Sequence, residues 1–193
     1  MELILASTSL YRRALIERLG IPLRCVAPGV DEDEFKAKAG AIAPADLAAG
    51  LALAKASSVA ALEPRAVVIG GDQLVYFDGQ VLGKPGTVEG AMGQLQAIAG
   101  RAHELITAIA VIHEGRIYAH TNVTRLALRP LTLAEIERYV EADLPLDCAG
   151  SYKLESRGIA LFDRIESDDH SSIVGVPLIA LTSILRGIGF VIP

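Results

Sequence analysis

The chain is 193 residues long and 51% hydrophobic, enough for one large domain or for two small lobes sharing a core. Its formal net charge of -5 argues against extended DNA or RNA as a partner, yet leaves room for a local basic cluster that takes a small anion. Cys25 and Cys148 lie far apart, with no CxxC and no Cys/His pairing; this excludes a zinc motif and predicts two reduced, buried thiols.

The N-terminus lacks the basic segment and long apolar run of a signal peptide, and no uncharged stretch is long enough to span a bilayer. The sequence therefore predicts a cytoplasmic protein with no membrane partner.

Residues 2–6 form an apolar run suited to a buried strand. Ser7-Thr8-Ser9 follows, offering a helix cap, and a helix is expected over 10–19 with Gly20 as its stop. A second apolar run covers 21–27 and precedes the acidic stretch Asp31-Glu32-Asp33-Glu34. A long helix is expected over 44–62, ended by Pro64. The run 66–69 reads as a central strand that delivers Gly70-Gly71-Asp72-Gln73 at its end, with 74–77 continuing as strand. Asp78-Gly79 is a hairpin signal. Gly83-Lys84-Pro85 forms a loop, and Thr87 opens a helix to 98.

Two long strands are expected at about 103–113 and 116–128, flanking a Glu114-Gly115 turn. Thr132 with Glu135 spells a capping box for a helix ending near 142. Residues 145–158 read as irregular, 159–165 as a strand, Pro177 as the start of the last helix, and 190–193 as a short closing strand. This mixture of helices, strands and hairpins predicts an α/β fold with a mixed sheet wrapped by helices.

The start of the first helix offers free N–H groups and a positive dipole end, with hydroxyls on Ser7 and Ser9 and charge on Arg12 and Arg13. The same residues also describe an ordinary Ser-capped helix with two surface arginines. Asp72 beside two glycines suits a carboxylate that activates water or holds a metal, but equally a solvated turn. Lys55 on an apolar helix, Lys84 in its loop and Lys153 in a polar segment either reach water or pair with an anion. The four histidines form no close pair.

Leu5-Ala6-Ser7-Thr8-Ser9 with Arg12-Arg13, Val30-Asp31-Glu32, Ala54-Lys55-Ala56, Gly71-Asp72-Gln73, Gly83-Lys84-Pro85, Cys148-Ala149-Gly150-Ser151 and Val174-Gly175-Val176-Pro177 follow one another in order. In this arrangement the chain resembles the Maf family, the septum-formation-inhibitor-like nucleotide pyrophosphatases. The resemblance covers nearly all of residues 1–193. It implies one domain with a twisted mixed sheet and two lobes around a central cleft, similar to inosine triphosphate pyrophosphatases, and a homodimer.

It also implies hydrolysis of a nucleoside triphosphate to monophosphate and pyrophosphate with a divalent cation (Mg, Mn or Co). Asp72 matches the family's catalytic base. Ser7, Arg12, Arg13, Lys55 and Lys84 match its phosphate-binding set, to which Ser9 and Lys153 are added. Asp31 and Glu32 are candidate metal ligands.

Tyr11, Gln73 and Glu155 match the branch acting on 7-methyl-GTP better than the dTTP/UTP branch. An aromatic face attracts a cationic 7-methylguanine, and a carboxylate accepts from both guanine N1–H and N2–H. A dTTP/UTP pyrophosphatase and a nucleotide-binding regulator of division remain the alternatives.

Overall fold

The structure, a computed structural model, describes residues 1–192. In chain order it forms β1 (Leu3–Ala6), α1 (Leu10–Glu17), β2 (Leu23–Val26), α2 (Glu32–Ala39), α3 (Pro44–Ala60), β3 (Val67–Phe77), β4 (Gln80–Leu82) and α4 (Val88–Ile98). Then come β5 (Ala102–His113), β6 (Arg116–Leu128), α5 (Leu133–Asp143), two short 3-10 turns (Ala149–Ser151 and Arg157–Leu161), β7 (Phe162–Glu166), α6 (Ser171–Val174) and α7 (Leu178–Ile188).

Local chemistry sets most of these boundaries. Ser9 caps α1 by accepting the Arg12 N–H, and Thr87 caps α4 by accepting the Gly90 N–H. Thr132 and Glu135 form the reciprocal capping box of α5. Asp78 and Gly79 both adopt positive φ (52° and 82°), as a two-residue hairpin linking β3 to β4 requires.

The strands form a seven-stranded sheet in the order β2-β1-β3-β5-β6-β7, with β4 paired to β3. β1 runs parallel to both β2 and β3, whereas β4 is antiparallel to β3 and β7 to β6, so the sheet is mixed as expected.

Two compact units divide the chain. The first comprises residues 1–72, 107–122 and 169 onward; the second comprises 73–106 and 123–168. In the first unit, one face of the sheet buries Leu3, Leu5, Val67, Ile69, Ile109 and Val111 against Leu15 and Ile16 of α1 and Leu181 and Leu185 of α7. Strand alternation turns the intervening residues toward the opposite face, where Gly70 meets α3. In the second unit, His103, Tyr152 and Phe162 form a buried ring cluster, with Tyr152 and Phe162 edge to face at 5.0 Å.

Five expectations need correction. The acidic stretch is not plain loop: Asp31 caps α2 by accepting the Asp33 and Glu34 N–H groups. Gly70-Gly71-Asp72-Gln73 lies inside the unbroken strand β3, not at a strand end: β3 pairs with β1 over Val67–Ile69 and with β4 over Val75–Phe77, and it neighbours β5 in the sheet. β7 begins at Phe162, since residues 157–161 coil into a 3-10 turn. Residues 190–192 form no strand, and Pro193 lies outside the described residues. Cys25 is exposed on β2 and Cys148 half-buried, both as free thiols; β2 pairs with β1 alone and keeps its outer side open to water.

Candidate active site

Within the first unit, consecutive residues of β3 face opposite ways. Asp72 points to the same face as Gly70, toward α3, and Gly71 points toward α1. A Cβ on Gly70 would lie 2.1 Å from the Ala52 carbonyl oxygen and 2.6 Å from the Ala56 nitrogen. Helix α3 therefore rests directly on the strand backbone, one turn from Lys55. The outcome is a buried ion pair: Lys55 Nζ donates to Asp72 Oδ1 at 2.7 Å.

A second carboxylate reaches the same ammonium. Phe35 of α2 packs against Gly50 of α3, where a Cβ would stand 2.9 Å from the ring. This close approach lets Glu32, at the start of α2, place Oε1 2.7 Å from Lys55 Nζ. Asp31 acts differently, since its side chain is committed to capping α2.

Arg12 completes the group. Its side chain lies between two glycines: a Cβ on Gly71 would meet Nε at 3.5 Å, and one on Gly175 would meet Cγ at 3.4 Å. Its Nε donates to the Gly175 carbonyl at 3.2 Å. Burial pulls the guanidinium below its ordinary pKa, and the charges of Asp72 and Glu32 oppose that shift. Two cations and two carboxylates therefore balance within one cluster.

Beside Arg12, Ser7 is buried and its Oγ accepts the Ser9 N–H. Ser9 is spent on capping α1. Arg13 turns away from the cluster and pairs with Glu17 at 2.7 Å on the exposed side of α1, as the 100° step between helix neighbours allows. Tyr11 and Gln73 are both half-buried.

The second unit carries the remaining candidates. Lys84 is exposed in the loop after β4 and has no ion-pair partner among the described residues. Lys153 Nζ donates to the carbonyls of Asp143 and Leu144, a basic side chain closing the C-terminal end of α5. Glu155 is exposed in the segment between the 3-10 turns. Sequence reasoning singled out Asp72, Lys55 and Arg12; it held Gly70 and Gly175 in its motifs without their packing role, and it did not find Phe35 or Gly50, which set the approach of α2 to α3. The sequence signal for α2 was present, however: an Asp cap, an acidic first turn, Lys36 and Lys38 near the end, and Gly40.

No group of three His, Cys, Asp or Glu side chains converges among the described residues, so the protein alone offers no closed metal cage. Glu32 and Asp72 are hard oxygen donors that both bond the Lys55 ammonium, so a metal ion would stand beside Lys55 and share these carboxylates with it. This fits a divalent ion bound through one or two carboxylates and completed by substrate phosphates.

A mixed α/β domain that gathers arginine, lysine and two carboxylates next to a helix start has the parts that an enzyme of phosphate-bearing substrates requires. The comparisons with known proteins agree. The chain belongs to the Maf-like protein family, whose model matches residues 2–188.

It is 50% identical over 185 residues to the 7-methyl-GTP pyrophosphatase of Bdellovibrio bacteriovorus, covering 96% of each chain. It is also 50% identical over 192 residues to the 7-methyl-GTP pyrophosphatase of Xanthomonas axonopodis pv. citri, covering 100% of this chain and 99% of that one. Among solved structures, the Staphylococcus aureus Ham1 protein matches with a TM-score of 0.55 at 13% identity, over 97% of this chain and 100% of that one; this likeness concerns the fold. No helix of the described chain is long and apolar enough to cross a membrane.

Proposed function

We propose that the protein hydrolyses 7-methyl-GTP to 7-methyl-GMP and pyrophosphate, with Asp72 as the general base. The observation that carries this reading is the buried Asp72 carboxylate, held through one oxygen by Lys55 beside Arg12. Full-length relatives named for this activity support the substrate.

Lys55 fixes Asp72 Oδ1, leaving the second oxygen to take a proton from water. The water oxygen attacks the α-phosphorus, the bond from that phosphorus to the bridging oxygen breaks, and pyrophosphate leaves with the bridging oxygen. Arg12 and the start of α1 grip the polyphosphate, whose charge of about four negative units near neutral pH would otherwise repel the attacking oxygen. A divalent cation (Mg, Mn or Co) held by Glu32 and Asp72 would supply the remaining neutralisation. The cluster needs that help, because its own charges already cancel.

Base recognition is assigned to Tyr11, Gln73 and Glu155. Glu155 suits the two adjacent N–H donors of a guanine edge, and an aromatic ring suits the cationic methylated base. Lys84 is the exposed cation left for phosphate charge, whereas Arg13 and Lys153 have structural partners to leave first. Two unpaired thiols fit a reducing cytoplasm, and a homodimer rests on the family resemblance.

The test is pyrophosphate release from a nucleotide panel with each metal. The expected result is the highest kcat/KM on 7-methyl-GTP, with Glu155→Gln eroding that preference. Faster turnover of dTTP or UTP would reassign the substrate, and binding without any turnover would favour a regulator.

A further inference from the structure

Asp169 takes no part in the cluster, yet it is only 5% exposed and its carboxylate is fully used. Oδ1 accepts the Ser171 N–H at 2.9 Å and also the Ser171 hydroxyl. Oδ2 accepts the Ile179 N–H at 2.8 Å. The Ser171 hydroxyl oxygen accepts the Leu178 N–H at 2.9 Å. Pro177, the residue preceding α7, has no side chain that can cap it. Asp169 and Ser171 therefore satisfy the first two N–H groups of α7 from across the turn.

This clasp ties Ser171 and Ile179, on either side of the turn, to one carboxylate. Thr107 holds the start of that turn, donating its hydroxyl to the Ser172 carbonyl at 2.9 Å. Gly175, with φ of 127°, is the residue whose carbonyl receives Arg12 Nε. Backbone bonds from the Gly175 N–H to the Ser171 and Ser172 carbonyls hold that residue in the turn, and Asp169 anchors the turn at Ser171 and Ile179.

We propose that Asp169 is a positioning residue for the reaction: through the 171–178 turn and the Gly175 carbonyl it sets where the Arg12 guanidinium stands. This rests on the reading of Arg12 as a polyphosphate contact. Asp169→Asn keeps the size but replaces one accepting oxygen by a donor, so the Ile179 bond or the Ser171 bonds must break. Gly175 then moves, and Arg12 loses its fixed acceptor.

The experiment is a double-mutant cycle on Asp169→Asn and Arg12→Ala, reading KM and kcat for 7-methyl-GTP and the Arg12 Nε–H resonance in the nucleotide-free protein. Asp169→Asn alone is expected to raise KM roughly tenfold, with kcat changed less. It is expected to add almost nothing once Arg12 is alanine. The Arg12 Nε–H signal should also shift and lose its exchange protection. Ser171→Ala, which removes the two hydroxyl bonds but keeps the carboxylate's bonds to the Ser171 and Ile179 N–H groups, gives the same signature at smaller amplitude and keeps the test decisive if Asp169→Asn does not fold. Additive effects, or an unchanged Nε–H signal in either folded variant, would overturn the proposal. The signal is read without substrate, so loss of the proposed activity would leave it interpretable.

Discussion

Lys55 and Asp72 meet at 2.7 Å with side chains only 7% and 9% exposed, so an ammonium and a carboxylate share one buried position. The pair persists because Gly70 allows α3 to touch the strand, and because Glu32 reaches in from α2 to bond the same ammonium.

Removing one member of a buried pair costs about 3–5 kcal/mol, because the other charge is left without compensation. Lys55→Met is therefore expected to lower the unfolding free energy by about 3 kcal/mol in urea titrations. Adding Asp72→Leu should recover part of that loss. An unchanged midpoint for Lys55→Met would show that the pair is open in solution.

Gly70→Ala places a methyl group against the Ala52 carbonyl, a rigid backbone atom. Helix α3 must retreat, taking Lys55 from Asp72. Overpacking of this kind costs about 1–3 kcal/mol, and kcat should fall with it. Gly93→Ala is the contrast: a Cβ there meets nothing within 4 Å. In the middle of α4 it should stabilise by about 0.5–1 kcal/mol without affecting turnover. Equal behaviour of the two variants would contradict the close-contact account.

His103 is buried, its Nε2 lies 3.0 Å from the Tyr152 hydroxyl, and its Nδ1 has no partner. Burial lowers its pKa from 6.5 to about 4. The unfolded chain therefore binds more protons between those values, and this contribution is full above pH 6.5 and falls as pH drops toward 4. The loss should approach about 3 kcal/mol at the acid end. Stability measured against pH should show this limb, and His103→Gln should flatten it. An unaltered limb would place the acid sensitivity elsewhere.

The two thiols differ in environment. Cys25 is exposed, while burial and the neighbouring Asp147 push Cys148 up to about 12. Only the thiolate reacts. At mildly alkaline pH an alkylating reagent should label Cys25 first and spare Cys148 in the folded protein, as peptide mass analysis would read. Faster labelling of Cys148 would contradict this placement.

The features legible in the sequence were local ones. Thr132 with Glu135, Thr87 and Asp78-Gly79 carry their instructions within four residues, and the structure places a cap or turn at each. Lys55 stood out because charge on an apolar helix is rare, Asp72 because it follows two glycines, and Arg12 because it sits at a helix start. What the sequence concealed depends on distant partners. Gly70 reads as a turn residue until α3 is laid on it, and Lys153 reads as an anion binder until the carbonyl end of α5 reaches it. Arg12 and Arg13 are adjacent in sequence, yet only packing against Gly71 and Gly175 separates the half-buried arginine from the one paired with Glu17. Asp169 gives no signal before the 171–178 turn closes.

The central claim is that Asp72 readies a water for attack on the α-phosphorus. Hydrolysis of 7-methyl-GTP in heavy-oxygen water, followed by mass analysis of both products, tests it most directly. The account predicts label in 7-methyl-GMP and none in pyrophosphate, with Asp72→Asn slowing release by about 10²–10⁴-fold. Label in pyrophosphate, or an Asp72→Asn variant as fast as the unaltered chain, would contradict it.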